Sequence, residues 1–312
     1  MEENIKFSIL VPAFKARFLG ECIESILSQT YKNFELIIVN DASPENLGEI
    51  VSRYDDARIQ YYVNEKNFGA INVVDNWNKC LSYATGDYVI CMGDDDKLLP
   101  CCLAEYRKLI DKYPEVGVLH GMTAMIDETS KVIAVQEPRL ELEDAFSLAY
   151  FRLLGRHQYI GDFLYKRDEL LLDGGFYKLP LAWGSDDLSA VIAAKDGIAN
   201  TSKVVFLYRD NLLTISNNGN TRLKAETTLE FKHLLKEQLL KQNNKVVLDF
   251  VRQCLLDNYD KLFKIKIYAA VLEDVKHDMG SLGYWYKRRN VLGLKQTDFI
   301  KMFVLRIKKI LF

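Results

Sequence analysis

The sequence predicts an α/β fold in which a mostly parallel sheet is flanked by helices, with a helical extension at the carboxyl terminus. Over the first 115 residues, short β-rich runs alternate with segments whose apolar residues have helical spacing. From residue 221 onward the helical segments become long and β-branched runs become rare. Strands that alternate with helices of roughly 10–15 residues favour parallel pairing with right-handed crossovers.

Turns and helix-start residues divide the first 115 residues into four strand and helix pairs. Pro12 ends the first β-rich run, and the polar cluster Asn40 to Pro44 ends the second and can cap the helix after it. The third helix follows the turn Asn67-Phe68-Gly69. The predicted strands are residues 6–12, 34–39, 58–63 and 88–92, and the predicted helices are residues 20–28, 45–54, 70–85 and 98–113.

The pattern weakens after Pro114, where residues 116–125 and 131–135 predict a hairpin or two edge strands. We expect one domain over residues 1–220 and the helical extension over residues 221–312. Further strands are predicted at residues 163–166 and 204–208, and further helices at residues 142–154, 168–172, 188–194, 223–241, 245–275 and 297–312.

Composition and charge exclude several classes of protein. Of the 312 residues 49% are hydrophobic, which is ample for a core. Residues 261–312 carry 12 Lys and Arg against 4 Asp and Glu, so the rest of the chain has a net charge of −10, which argues against a general nucleic-acid binder. The six cysteines have no Cys-x-x-Cys spacing and are predicted to be reduced thiols. No signal-peptide pattern or membrane-spanning run is present, so the expected compartment is the cytosol.

Three consecutive aspartates, Asp94 to Asp96, are the most informative feature of the chain. They follow the fourth β-rich run with only Gly93 between. Adjacent carboxylates repel one another, so they are tolerated where a hard cation or a ring of donors neutralises them. The sequence therefore predicts a metal site at the carboxyl end of a buried strand. The alternative is an acidic turn that caps the next helix, but a cap needs one Asp and gains only about 1 kcal/mol.

Two other polar clusters should lie near these aspartates. Pro12-Ala13-Phe14 and Asn40 to Ser43 follow the first and second strands, and parallel strands bring their carboxyl ends to one edge of the sheet. An acidic crevice with a hard cation suits a diphosphate, because the metal bridges phosphate oxygens. Neither a Gly-x-Gly-x-x-Gly nor a P-loop motif is present, so a dinucleotide cofactor or a P-loop nucleotide would lack its phosphate cradle.

The order and spacing of these motifs resemble the family 2 glycosyltransferases, which are nucleotide-sugar-dependent enzymes with the GT-A, Rossmann-like fold. The resemblance spans about residues 5–216. It implies a donor half at about residues 1–115 and an acceptor half at about residues 116–220. The matching motifs are Ser8 to Phe14 for the family's Val-Pro-x-Tyr/Phe strand, Asn40-Asp41-Ala42-Ser43, Asn67-Phe68-Gly69, and Gly86-Asp87-Tyr88-Val89 leading to Gly93 to Asp96.

The resemblance also implies roles for individual residues. Asp95 and Asp96 match the acids that hold Mn²⁺ or Mg²⁺. The residues expected to bind the nucleotide are Pro12, Ala13 and Phe14 as a wall, Asp41 on the base and ribose, Asn67, Asp94 on the ribose, and Arg209 near the diphosphate.

Ser185-Asp186-Asp187-Leu188 resembles the family motif that contains the catalytic base. Asp186 is the first choice for this base and Asp187 the second. A carboxylate near the acceptor hydroxyl can take its proton as the hydroxyl attacks the anomeric carbon. Attack on the face opposite the diphosphate inverts the configuration. The alternative is that one of these aspartates caps the helix that begins near Leu188.

The resemblance implies an inverting, metal-dependent glycosyltransferase. It would move a sugar from a nucleotide donor, UDP by preference, to a hydroxyl of a glycan or lipid-linked acceptor in cell-surface polysaccharide synthesis. One alternative is a nucleotidyltransferase on a similar sheet, which would need a Gly-rich basic loop that Phe14-Lys15-Ala16-Arg17 does not supply. The other is a non-catalytic protein that binds a sugar nucleotide or a glycan.

The carboxyl-terminal segment places aromatic residues beside cations. Tyr284-Trp285-Tyr286 precedes Lys287-Arg288-Arg289, and residues 299–311 mix apolar residues with Lys and Arg. One interpretation is peripheral contact with the inner face of an anionic membrane, which a lipid-linked acceptor would explain. The alternative is packing on the catalytic domain or on a second subunit of a homo-oligomer.

Overall fold

The computed structural model describes residues 4–211, 220–242 and 248–311, and the side chains up to residue 306. Its strands form one sheet, and helices cover both faces of the parallel half. The strands are β1 Phe7–Ala13, β2 Phe34–Asn40, β3 Ile59–Val63, β4 Tyr88–Cys91, β5 Lys97–Leu98, β6 Val118–Ile126, β7 Val132–Val135, β8 Leu142–Glu143, β9 Phe163–Lys166 and β10 Ile198–Arg209.

Helices follow most of the strands and make up the carboxyl-terminal extension. They are α1 Leu19–Leu27, α2 Leu47–Val51, α3 Val73–Tyr83, α4 Cys102–Lys112, α5 Ala145–Leu153, α6 Arg167–Leu172, α7 Ser185–Ala193, α8 Thr221–Lys241, α9 Asp249–His277, α10 Gly280–Lys287, α11 Arg289–Leu292 and α12 Gln296–Leu311. Short 3-10 turns lie at Ala70–Asn72, Ile160–Asp162 and Pro180–Ala182.

The strand order is β3-β2-β1-β4-β9-β6-β10-β5, with β7 beside β6 and β8 beside β10. The strands β3, β2, β1 and β4 are parallel, as predicted. Beyond β4 the sheet becomes mixed, because β9 runs antiparallel to both β4 and β6, while β6 and β10 are parallel. The predicted α/β class is thus confirmed. The parallel half brings the carboxyl ends of β1, β2 and β4 to one edge.

Burial explains why the parallel half is so apolar. Almost every residue of β1, β2 and β4 is buried, as expected for strands covered on both faces. Alternate residues point to opposite sides: Leu10 and Ile37 pack towards α3, whereas Ile9 and Leu36 pack towards α1.

Two short strands were missed because they pair with a distant strand. The helix predicted at residues 98–113 begins only at Cys102, since Pro100 disfavours helical geometry before it and β5 pairs with β10 instead. The helix predicted at residues 142–154 begins at Ala145, after β8 has paired with β10. Local periodicity does not report such long-range pairing. The predicted hairpin β6–β7 is present, but β6 lies inside the sheet, between β9 and β10.

The helical extension shares a core with the rest of the protein. Tyr259, Phe263, Ile267 and Val271 of α9 are buried in the same apolar cluster as residues of α5 and α7. The helices α10 and α11 were not predicted as separate elements. No helix in the described ranges is both long enough and apolar enough to cross a bilayer.

A buried carboxylate, Glu35, connects the strands of the parallel half. It accepts hydrogen bonds from Lys6 Nζ at 2.7 Å, Ser8 Oγ at 2.6 Å and the Thr85 backbone N–H at 2.7 Å. Burial alone would raise the pKa of Glu35, but these hydrogen bonds lower it to about 2. The ionised group therefore stabilises the folded state.

We expect Glu35→Gln to lower the free energy of unfolding by about 2–3 kcal/mol at neutral pH, because the substitution weakens hydrogen bonds to a buried charge. The folded-state pKa lies below the ordinary value of 4.5. The stabilisation is therefore complete above that value and is lost as the pH falls towards 2, so the two proteins should converge in acid. Urea titrations from pH 3 to 7 measure this.

The matched control is Glu49→Gln, which removes an exposed ion pair between Glu49 of α2 and Arg53 just after that helix. Such a pair contributes only about 0.5 kcal/mol or less. Equal destabilisation by both substitutions would contradict the role assigned to Glu35.

Candidate functional site

A cleft of about 1180 Å³ lies over the carboxyl ends of β1, β2 and β4, and its far wall comes from α7, α8 and α9. Most of the residues singled out from the sequence line it. These are Pro12, Phe14, Asp41, Asn67, Asp94, Asp95, Asp96, Asp186 and Asp187. Two others do not: Ala13 is fully buried in the core, and Arg209 lies behind the aspartates.

Asp94 joins the loop after β4 to the loop after β1. Its Oδ2 accepts the backbone N–H groups of Phe14 and Lys15, both at 2.7 Å. Burial raises the pKa of Asp94 to about 6, and the charge of Asp95 adds to the effect. This carboxylate is therefore part of the structure that shapes the cleft.

Asp95 and Asp96 have different surroundings. Asp96 accepts the backbone N–H of Arg209 at 2.9 Å and that of Gly93 at 3.3 Å through its two oxygens. Burial, followed by the charge of Asp95, raises the pKa of Asp96 well above its ordinary value. Asp95 Oδ2 accepts from Asn211 Nδ2 at 2.8 Å and lies 3.7 Å from Lys15 Nζ.

Gly93 allows the two carboxylates to fold back over the end of β4. A Cβ at this position would lie 2.7 Å from Asp95 Oδ1 and 2.9 Å from Asp96 Oδ2, so any side chain here would displace these carboxylates. The glycine between strand and acids thus leaves the space that the two carboxylates occupy.

The aspartates fit a divalent cation that also has ligands from a substrate. Within the described ranges no three His, Cys, Asp or Glu side chains are arranged to hold a metal on their own. However, Asp94 Oδ1 and Asp95 Oδ1 accept no hydrogen bond from any described residue. Mg²⁺ and similar ions commonly take one or two carboxylates and complete their shell with phosphate oxygens and water. Asp96 has both oxygens occupied by backbone N–H groups, so the geometry favours Asp94 and Asp95 as ligands.

Asp41 organises the opposite side of the cleft. Its Oδ1 accepts from Asn64 Nδ2 at 2.9 Å and from the Phe68 N–H at 3.0 Å, which holds the loop after β3 against the end of β2. Its own N–H donates to the Ala13 carbonyl at 2.9 Å, so Ala13 contributes backbone rather than side chain. Asn67 Oδ1 accepts the N–H of Gly69 in a local turn.

The structure distinguishes Asp186 from Asp187. Both lie in the first turn of α7, whose N-cap is Gly184, so neither is the cap. Asp187 accepts from Arg152 Nε at 2.9 and 3.0 Å and from Gln158 Nε2 at 2.5 Å. Asp186 is half-buried and lines the cleft, and burial together with the charge of Asp187 raises its pKa to about 7. Asp186 is therefore available for proton transfer, whereas Asp187 is held in an ion pair.

Arg209 supports the aspartates from behind. Its Nε donates to the Asp95 carbonyl at 2.8 Å, and its Nη2 donates to Glu21 Oε2 at 2.9 Å. The guanidinium lies 4.1 Å from the ring centroid of Phe18 and is fully buried. In this arrangement Arg209 positions the loop, and its side chain does not reach the cleft.

Several lining residues were missed by sequence reasoning. Tyr159 and Tyr208 stack with their ring centroids 3.7 Å apart, and Lys266 enters the cleft from α9. Tyr208 immediately precedes Arg209, which the family resemblance had singled out, so a signal for this region existed. Arg152 and Lys266 lie in helices whose sequence pattern reports only their apolar face, so nothing in the sequence indicated them.

Comparison with known proteins agrees with this arrangement. The chain matches the family model "Glycosyl transferase family 2" over residues 8–168, more than half of its length. The GalNAc(5)-diNAcBac-PP-undecaprenol beta-1,3-glucosyltransferase of Campylobacter jejuni is 35% identical over 102 residues, which cover 32% of this chain and 32% of that protein. The chain aligns with less than half the length of such curated relatives.

Solved structures share the fold at low sequence identity. The crystal structure of S. aureus TarS 1-349 in complex with UDP has a TM-score of 0.62 and 17% identity, covering 96% of this chain and 89% of that one. The mannosyltransferase PcManGT from Pyrobaculum calidifontis in complex with GDP-Man and Mn²⁺ has a TM-score of 0.54 and 16% identity, covering 96% and 86%. The GT-A fold predicted from the sequence is confirmed, and the chain belongs to glycosyl transferase family 2.

Proposed function

We propose that the protein is an inverting glycosyltransferase that moves a sugar from a nucleotide donor, UDP by preference, to a hydroxyl of a glycan or lipid-linked acceptor. The observation that supports this most directly is the position of Asp186. A half-buried carboxylate with a pKa raised to about 7 faces the same cleft as the aspartate loop, Asp94 to Asp96. One cleft thus offers groups for the leaving diphosphate and for the attacking hydroxyl.

Asp94 and Asp95 would hold the Mn²⁺ or Mg²⁺ ion, with Asp96 positioning the loop. A bound ion supplies positive charge that stabilises the departing diphosphate. Lys15, at 3.7 Å from Asp95, adds a cation at the same end of the cleft. Phe14 and Asp41 lie where the base and ribose would bind.

Asp186 would act as the general base. It accepts the proton of the acceptor hydroxyl as that oxygen bonds to the anomeric carbon and the bond from this carbon to the diphosphate breaks. A base with a pKa close to neutrality combines a large ionised fraction with good proton affinity. The ion pair between Asp187 and Arg152 fixes the first turn of α7 and so positions Asp186.

The two rival functions fit the cleft less well. A nucleotidyltransferase would use backbone N–H groups of the loop after β1 to bind a triphosphate, but those of Phe14 and Lys15 are taken by Asp94. A protein that only binds its ligand would not need a carboxylate with a pKa near 7, such as Asp186, in the same cleft as the aspartate loop. Such a protein would also show no turnover.

We propose that the carboxyl-terminal extension contacts an anionic membrane through one exposed surface. Ile300, Phe303 and Val304 form one exposed stripe of α12, while Phe299 and Met302 face the core. Exposed cations, Lys287, Arg288, Lys295 and Lys301, lie on the same segment. Apolar residues flanked by cations suit the headgroup region of an anionic bilayer. The side chains of residues 307–311, part of the predicted membrane segment, lie outside the described residues.

Asp95→Asn should remove the Mn²⁺-dependent part of UDP binding. We expect the Kd of UDP in Mn²⁺ to rise at least about tenfold, or about 1.4 kcal/mol, because one of the two open carboxylate oxygens is lost. Calorimetric titration with and without Mn²⁺ measures this. Glu128→Gln, which changes an exposed acid paired with Arg17, is the matched control. Unchanged Mn²⁺ dependence in Asp95→Asn would refute the metal assignment.

Asp186→Asn should lower transfer by about 10²–10⁴-fold and leave UDP binding intact, because only proton removal is affected. In the unmodified protein kcat/KM should rise with pH through an apparent pKa near 7, since the base acts only when ionised. This rise of kcat/KM with pH should be absent in Asp186→Asn. Asp187→Asn is the control. It should lower the Tm by breaking the partly buried ion pair and should retain the rise of kcat/KM with pH, shifted to lower pH because the charge of Asp187 no longer raises the pKa of Asp186. The opposite pattern would make Asp187 the base.

Vesicle co-sedimentation tests the membrane contact. The protein should bind vesicles that contain phosphatidylglycerol and not vesicles of phosphatidylcholine, and the double variant Ile300→Ser, Phe303→Ser should lose binding. Ile265→Ser, at an exposed position on α9, is the control. A dimer that the double variant converts to a monomer would instead show that a second copy covers this surface.

A further inference from the structure

The extension supplies one wall of the cleft. Lys266, Ala269, Ala270 and Glu273 are spaced three, four and seven residues apart, so they share one face of α9, and all four line the cleft. This wall lies outside residues 8–168, which carry the family match. The cleft is therefore built from the segment that carries the family match and from a segment outside it.

Lys266 is a half-buried cation with no fixed partner. Within the described ranges its Nζ makes no hydrogen bond or ion pair, and Glu273, two helical turns away, pairs with Lys276 at 3.1 Å and His277 at 3.4 Å. Burial lowers the pKa of Lys266, and the nearby guanidinium of Arg152 lowers it further. The carboxylates of Asp187 and Asp186 act in the opposite direction, but neither forms a direct ion pair with Lys266 Nζ. A partly desolvated ammonium without a direct counter-ion costs free energy, and an anionic ligand would reduce that cost.

Arg152 adds a second donor group on the same side. Its Nε is bound by Asp187 and its Nη1 donates to the Arg156 carbonyl at 3.2 Å, so the guanidinium has a fixed orientation. Its Nη2 donates to no residue in the described part of the chain. Arg152 also lines the cleft.

Lys266 and Arg152 interact electrostatically with Asp186 and Asp187 more strongly than with the aspartate loop. The charges with the largest effects on the pKa of Lys266 are those of Arg152, Asp187 and Asp186. The charges with the largest effects on the pKa of Asp94 are those of Asp95 and Lys15. The cleft thus has two separate charged centres, one near the ends of β1 and β4 and one beside α7 and α9.

We propose that Lys266 and Arg152 bind an anionic group of the acceptor, a phosphate or a carboxylate, and so orient its hydroxyl towards Asp186. This assignment rests on the proposed glycosyl transfer and deepens it, because it selects anionic acceptors over neutral ones. The source of the anion can be a polyol phosphate, the diphosphate of a lipid-linked glycan or a uronic acid, which share the chemistry that an ammonium and a guanidinium recognise.

Thermal shift measurements with UDP and Mn²⁺ at saturation test the proposal, since these ligands occupy the donor site first. Glycerol 3-phosphate, farnesyl diphosphate and glucuronate are then added, each beside its neutral counterpart glycerol, farnesol or glucose. We expect at least one anionic probe, and no neutral one, to raise the Tm further. The probe that does so identifies the source of the anion. Lys266→Met should abolish the added shift.

Lys261→Met is the matched control, because Lys261 is an exposed lysine on the same helix. It should retain the added shift. Lys266→Met should keep the shift caused by UDP and Mn²⁺, which also shows that it is folded. If it loses that shift, Lys266 serves the donor and the proposal is wrong. The proposal is also wrong if no anionic probe raises the Tm of the unmodified protein, or if the anionic probes raise the Tm of Lys266→Met by the same amount. Neither result would contradict the proposed donor site, which the shift caused by UDP and Mn²⁺ tests separately.

Discussion

The hydrogen bonds from the backbone of Phe14 and Lys15 to the carboxylate of Asp94 are the constraint on which the cleft depends. They connect the ends of β1 and β4, which are neighbours in the sheet but lie 80 residues apart in the chain. Because a charged acceptor strengthens such bonds, the two loops are held at a fixed separation. Arg209 also holds this loop in place, on the side away from the cleft. Its side-chain Nε donates to the carbonyl of Asp95, and its backbone N–H donates to the carboxylate of Asp96.

The cost of burying several carboxylates is offset in two different ways. In the aspartate loop, backbone N–H groups and Asn211 are the main partners, and Lys15 Nζ lies 3.7 Å from Asp95, so the loop retains capacity for positive charge. Beside α7, a single guanidinium neutralises Asp187 and leaves Asp186 with a raised pKa. The first arrangement suits a cation, and the second raises the pKa of a carboxylate towards neutrality. One acidic cleft can thus contain two chemically distinct centres.

The parallel half of the sheet was predictable because its strands and helices are local and strongly periodic. The polar residues that end β1, β2 and β4 could also be grouped in advance, since parallel strands place them at one edge. The strands β5 and β8 could not, because they exist only through pairing with β10.

The roles within the site were less predictable than its location. The resemblance ranked Asp186 ahead of Asp187, but the sequence offered no physical reason for that order, since the contact that distinguishes their surroundings comes from Arg152, which lies 35 residues earlier. Likewise, the resemblance implied that Arg209 lies near the diphosphate, but its buried guanidinium binds the Asp95 carbonyl and Glu21 and does not line the cleft. Lys266 carried no sequence signal at all, because a lysine in a long amphipathic helix is ordinarily solvated.

The shared core of α5, α7 and α9 has a consequence for how such a protein can diverge. The wall formed by α9 is anchored by Phe263, Ile267 and Val271, whereas the residues that face the cleft lie on another side of the same helix. Exchanges on that side can accumulate without disturbing either the apolar anchor or the loops at the strand ends. Under the proposed function, recognition of the acceptor could therefore change between related proteins while the groups that bind the nucleotide donor stay the same.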